Sequence, residues 1–181
     1  VSMSKQVALL RGINVGGRNK VGMAPLRELL EGFGYDEVRT HLQSGNVVFS
    51  TAEKPERAAK RIAEGVSEQF GVQVPVLTRS RADLQKIVKA HPLSGIASDP
   101  ARLLVTFLSA APKAKLVKEV DPASYTPDVF RFEGGREIYV WCPNGVHKTK
   151  LGHAFWEKRL GVTATARNWR TVERLLEMAG E

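Results

Sequence analysis

Phe70-Gly71-Val72, Thr78-Arg79-Ser80 and the apolar series Leu84, Ile87, Val88 are answered later in the chain by Leu160-Gly161-Val162, Ala166-Arg167-Asn168 and Val172, Leu175, Leu176. In both places a helical pattern ends on glycine, a short strand pattern follows, and a second helix opens at a constant offset. A supersecondary order that recurs with matching residues marks an internal duplication. The fold is therefore read as one unit used twice.

Working outward from the first copy, residues 6–10 read as a buried strand, and Met23, Leu26, Leu29, Leu30 and Phe33 recur at helical spacing before Gly34. Val38, Thr40 and Leu42 alternate with polar residues, and Val47-Val48-Phe49 returns after Ser44-Gly45-Asn46, which predicts a hairpin. A helix over 56–70 is expected to bury Ala59, Ile62, Ala63, Val66 and Phe70, and Gly71 stops it. The strand 74–78 carries Pro75, which suits a sheet edge. Ser80 or Asp83 then opens a further helix.

The second copy offers a strand at 103–108, a helix at 113–120, a hairpin from 129–132 and 138–142, a helix at 149–160, a strand at 162–166 and a last helix. The predicted class is α+β: two ferredoxin-like (split βαβ) halves arising from duplication, each with an extra C-terminal helix. The halves span 1–91 and 101–181, joined by the proline- and serine-containing connector 92–100.

In split βαβ topology the end of the first strand and the hairpin between the second and third share one edge of the sheet. That edge would hold Arg11-Gly12-Ile13-Asn14-Val15-Gly16-Gly17-Arg18-Asn19-Lys20 beside Ser44-Gly45-Asn46. Arg11, Arg18 and Lys20 supply charge, Asn14, Asn19, Ser44 and Asn46 supply hydrogen bonds, and Gly12, Gly16, Gly17 and Gly45 let backbone amides approach a ligand. The alternative reading is that the glycines and asparagines only permit tight turns. Gly12 and Gly17 have P-loop spacing, yet Arg18 and Asn19 replace the required lysine and hydroxyl residue, and no dinucleotide fingerprint exists. The equivalent stretch of the second half, Ser109-Ala110-Ala111-Pro112-Lys113, lacks glycine and asparagine.

The blocks Ala8-Leu9-Leu10-Arg11-Gly12-Ile13-Asn14-Val15-Gly16-Gly17, Ser44-Gly45-Asn46-Val47-Val48-Phe49 and Ala166-Arg167-Asn168-Trp169 resemble the bacterial domain of unknown function 1697 family. The resemblance implies a duplicated α+β fold and carries no activity with it. Ala166 and Arg170 depart from the threonine and asparagine usual there.

In that last block, Arg167 and Trp169 could act as an anion clamp and a stacking platform, or Asn168 could cap a helix that Trp169 covers. Phe107, Tyr139 and Trp141 fall on the strands that carry stacking aromatics in RRM-type RNA binders, although burial against helices or the other half is the better explanation of them. His147-Lys148-Thr149-Lys150 with His153 forms a small basic cluster.

Lysine and arginine number 27 against 19 acids, a net charge of +8, which favours anionic partners. The expected ligand is a small anion, a nucleotide or phosphorylated metabolite; nucleic acid is the alternative partner, and an interaction module without a ligand is the third reading. The one cysteine, Cys142, and four scattered histidines show no metal-ligand spacing, so neither metal nor cofactor is expected. No apolar run approaches a membrane span, no secretory signal is visible, and the cytoplasm is the expected compartment. Ser44 has no identifiable base and no carboxylates pair at useful spacing, so no reaction is named.

Overall fold

The structure is a computed structural model and describes residues 2–181. It divides into two compact units, one formed by the chain up to Gln85 with Leu175–Glu181, the other by Lys86–Arg174.

In the first unit β1 (Ser4–Leu10), β2 (Asp36–His41), β3 (Asn46–Thr51) and β4 (Val76–Ser80) form a sheet in the order β2-β3-β1-β4. β1 runs antiparallel to both neighbours, with Val7 opposite Val48 and Arg79. This is split βαβ order. The helices α1 (Met23–Gly32) and α2 (Pro55–Phe70) connect the strands. Their apolar sides, Leu26 and Leu30 from α1 and Ala58, Ile62 and Val66 from α2, join Ala8, Leu10, Val47 and Phe49 of the sheet in one core. α2 turns Ala58 and Gly65 inward rather than Ala59 and Ala63, because a glycine at the helix contact lets Leu29 and Phe33 approach where an added Cβ would meet Phe33 Cζ at 2.8 Å. The helix stops at Gly71 in the left-handed conformation (φ 68°).

β4 begins two residues later than the sequence suggests. Pro75 lies outside the ladder, and its carbonyl accepts from the Arg11 amide (3.1 Å). The proline-bearing segment does lie at the sheet edge. α3 (Arg81–Ala90) follows directly, with Ser80 Oγ accepting from the Asp83 amide as its cap.

The second unit repeats the order with β5 (Leu103–Leu108), α4 (Ala114–Lys118), β6 (Val129–Glu133), β7 (Glu137–Trp141), α5 (His153–Leu160), β8 (Ala164–Asn168) and the first turns of α6 (Trp169–Gly180), whose residues from Leu175 on count with the first unit; its sheet is ordered β6-β7-β5-β8. Gly161 (φ 69°) stops α5 as Gly71 stops α2. Ile138, Val140 and Cys142 face the helical side and pack with Trp156 and Leu160.

Two helices are shorter than expected. α4 is a single turn, because Asp121 and Pro122 start a separate 3-10 turn at Pro122–Tyr125. α5 begins at His153 rather than near 149: Thr149 is extended, and its hydroxyl accepts from the Leu151 amide and donates to Asp128.

Candidate functional site

The 11–20 loop is fastened to the first unit from three sides. Ile13 and Val21 are buried members of the core. The Leu10 amide donates to the Gly45 carbonyl (2.8 Å), which brings the loop against the β2–β3 hairpin as split βαβ topology requires. Asn14 then closes the arrangement. Its Oδ1 accepts from the Val21 amide (2.9 Å), and its Nδ2 donates to the carbonyls of Val21 (2.9 Å) and Gln43 (2.8 Å). Both donor hydrogens and one acceptor pair of that amide are thus committed to protein.

The other asparagines do similar work. Asn19 Nδ2 donates to the Gly12 carbonyl (3.0 Å), and the Asn14 amide to the Asn19 carbonyl (3.1 Å). Asn46 is fully buried, donating to the His41 carbonyl (3.0 Å) and to Ser44 Oγ (3.1 Å). Sequence reasoning placed these residues together as candidate ligand contacts, with tight turns as the alternative; in the structure their side-chain amides bond within the two turns. Five loop residues have positive φ, namely Gly12, Asn14, Gly16, Gly17 and Asn19. Gly45, at φ 96°, is required on a second count: a Cβ there would lie 2.8 Å from Leu10 Cβ and 2.9 Å from its carbonyl oxygen.

Arg18, Lys20, Gly16 and Gly17 are exposed. Beside them lies a cleft of about 400 Å³ whose lining includes Gly17, Lys20, Gly22, Met23 and Gln43. Gly22 is the N-cap of α1 and supplies no side-chain cap, and the first turn carries no acidic residue. The amides of Gly16, Gly17, Met23 and Ala24 donate to no acceptor among the described residues. A helix start and a glycine turn of this kind gather partial positive charge. Gly22, Met23 and Gln43 escaped sequence reasoning, because the cleft forms only once Asn14 draws the hairpin carbonyl of Gln43 against the loop.

Arg167, Asn168 and Trp169 belong to the second unit. The Asn168–Leu104 pairing sets this turn at the end of the sheet away from the β6–β7 hairpin. Asn168 Oδ1 accepts from the Arg170 amide (3.0 Å), and its Nδ2 donates to the Ala101 carbonyl (3.0 Å), so it caps α6 and ties down the connector. Trp169 is 5% exposed, with His91 at 4.4 Å and Tyr139 at 6.3 Å between ring centroids. It has no open face to stack on. Arg167 Nη1 donates to Thr165 Oγ1 (2.7 Å) and the Ala166 carbonyl (3.0 Å), and burial pulls its pKa down to about 10, so it stays charged at neutral pH.

Of the three aromatics that could stack RNA bases, Phe107 and Tyr139 are each 1% exposed, the Tyr139 hydroxyl donating to the Ile87 carbonyl (2.6 Å), while Trp141 is half-buried. Cys142 is buried, and that burial pushes its thiol up to about 11, far from the thiolate a nucleophile or ligand needs. Among the described residues no cluster of histidine, cysteine and carboxylate could hold a metal, and no helix is long and apolar enough to cross a membrane.

The chain is similar over 98% of its length to 99% of a conserved bacterial protein, SP0830, from Streptococcus pneumoniae, with a TM-score of 0.77 at 22% identity. That likeness concerns the fold. No curated protein matches. The family described as a protein of unknown function (DUF1697) matches residues 3–139, which takes in the glycine loop, the Ser44-Gly45-Asn46 turn and the second sheet as far as β7, while the Arg167–Trp169 turn lies beyond the match. With the signature loop, its hairpin partner and most of the chain inside that match, the chain belongs to the DUF1697 family.

Proposed function

We propose that this protein binds a small anionic ligand, a nucleotide or phosphorylated metabolite, in the cleft between the 11–20 loop, Gln43 and the start of α1. One observation carries the reading: Gly17 and Met23, whose backbone amides have no protein acceptor, line a cleft with Lys20 where helix α1 has neither a side-chain cap nor an acidic first turn. An oxyanion there accepts from amides that otherwise have only water, and it meets the positive end of the helix dipole. Lys20, and Arg18 nearby on the loop, add charge at exposed positions. Asn14, Asn19 and Asn46 take the role of framework, keeping the amides in place.

The test uses exposed residues, since replacing buried Asn46 removes the framework itself. A thermal-shift screen of pyrophosphate, nucleotides and sugar phosphates is expected to raise the Tm of the native chain and to raise it less in Lys20→Ala, with affinity about tenfold weaker for one lost charged hydrogen bond. Equal stabilisation of the two proteins by every anion overturns the proposal.

A further inference from the structure

The basic cluster Lys148-Thr149-Lys150 lies outside that cleft, in the second unit, and it borders a separate cavity of about 190 Å³. Two segments wall the cavity: the stretch from Ser124 to Asp128 before β6, and the stretch from Asn144 to Lys150 after β7. Thr149 donates its hydroxyl to Asp128 Oδ2 (2.6 Å) and ties the walls together, and the lysines on either side of it both line the space.

An inventory of the lining groups defines what fits. Ser124 Oγ donates to Asp121 (3.2 Å) and Thr126 Oγ1 to the Ala123 carbonyl (3.2 Å), so their hydroxyl protons are taken. Tyr125 accepts from Arg159 at its hydroxyl (3.2 Å), which leaves the phenolic proton to give. Lys148, Lys150 and Asn144 are exposed donors. Asp128 has one oxygen engaged by Thr149 and acceptor capacity left over. Two ammonium groups, an amide and a phenol therefore confront a single carboxylate. That set favours an oxyanion whose charge the lysines meet, joined to a group that can donate to Asp128. The volume falls below the ~300 Å³ at which drug-sized ligands begin, so the occupant is a compact molecule.

We propose that this cavity is a second ligand site, specific for a small phosphate monoester that carries a free hydroxyl. The lysines and Asn144 bind the phosphoryl oxygens, and Asp128 accepts from the hydroxyl.

Isothermal titration of the full chain with glycerol 3-phosphate, inorganic phosphate and glycerol tests this. Glycerol 3-phosphate binds, inorganic phosphate binds more weakly, and glycerol does not bind. The double variant Lys148→Ala/Lys150→Ala, which alters only exposed side chains, weakens both anions about tenfold or more. Asp128→Asn keeps inorganic phosphate and loses the preference for glycerol 3-phosphate. Lys20→Ala alters binding at the loop cleft alone and leaves in place the glycerol 3-phosphate binding that depends on Lys148 and Lys150, so failure of the loop reading and failure of this one are separate results. The proposal is overturned by an absence of glycerol 3-phosphate binding to the native chain, by unchanged affinity in the double lysine variant, or by a preference that survives in Asp128→Asn.

Discussion

Gly45 and Gly16 both sit at positive φ, yet they are held there for different reasons. At Gly16 a Cβ would meet nothing within 4 Å, so alanine pays only for the left-handed backbone, about 1 kcal/mol. At Gly45 the Cβ would collide with Leu10 Cβ and its carbonyl oxygen, on the residue whose amide fastens β1 to the hairpin by donating to the Gly45 carbonyl. Overpacking adds about 1–3 kcal/mol to the backbone term. Gly45→Ala is thus expected to lower the urea midpoint clearly more than Gly16→Ala, and the reverse order would refute the close approach. Asn14 illustrates what residue type alone conceals. Its presence in a glycine loop is plain in the sequence, whereas the choice between ligand contact and internal clamp depends on whether the Val21 and Gln43 backbones come within 3 Å, and that is decided by tertiary closure.

At the scale of elements, the segment after β3 carries a polar cluster against the helices. Tyr35 donates its hydroxyl to Glu53 (2.6 Å), Arg61 of α2 pairs with the same carboxylate, and its guanidinium lies over the Phe33 ring at 4.6 Å. Desolvation pushes the Glu53 carboxyl up, but the Tyr35 hydroxyl and the Arg61 guanidinium outweigh it, and the net shift is downward. A carboxylate whose pKa is lower folded than unfolded stabilises the protein above the unfolded value, about 4.3, and that contribution disappears as pH falls through the folded value. Native chain and Glu53→Gln are therefore expected to differ most in denaturant midpoint near neutrality and to converge as pH falls through the folded value; a gap that persists in acid would contradict it. Tyr35 itself is shifted upward, first by burial and then by Glu53, so it is neutral at any physiological pH.

Element types and order were legible because glycine stops, helical periodicity and strand alternation agree at every level. The misjudged boundaries fall where side chains compete with the backbone: Thr149 and Asp128 hold the run-up to α5 extended, and Asp121 diverts the end of α4 into a 3-10 turn. The cavity beside Lys148 was out of reach for the same reason, since the Asp128–Thr149 tie that forms its walls has no sequence signature.

For the molecule as a whole, a net charge of +8 gives affinity for polyanions without giving sequence preference. Phe107 and Tyr139 are buried and Trp141 half-buried, which leaves little aromatic surface on that sheet to stack bases. Retention on double-stranded DNA is expected to be indifferent to sequence and to fall steeply between roughly 50 and 200 mM salt; discrimination between sequences of equal length would favour the nucleic-acid alternative over the small-anion reading. The two units also reveal how the duplication diverged. In the first, Leu10 and Arg11 donate to the carbonyls of Gly45 and Pro75, and in the second Leu108 and Ser109 donate to those of Arg136 and Thr163 at nearly the same lengths, 2.8 and 3.1 Å against 2.9 and 2.9 Å. The mounting is shared although the loop that leaves it is not. Because the strands fix those bonds, selection could act on one connection without disturbing the frame around it. Twin copies were thereby free to divide their labour, one elaborating the connection at the end of its first strand while its sister kept that connection plain.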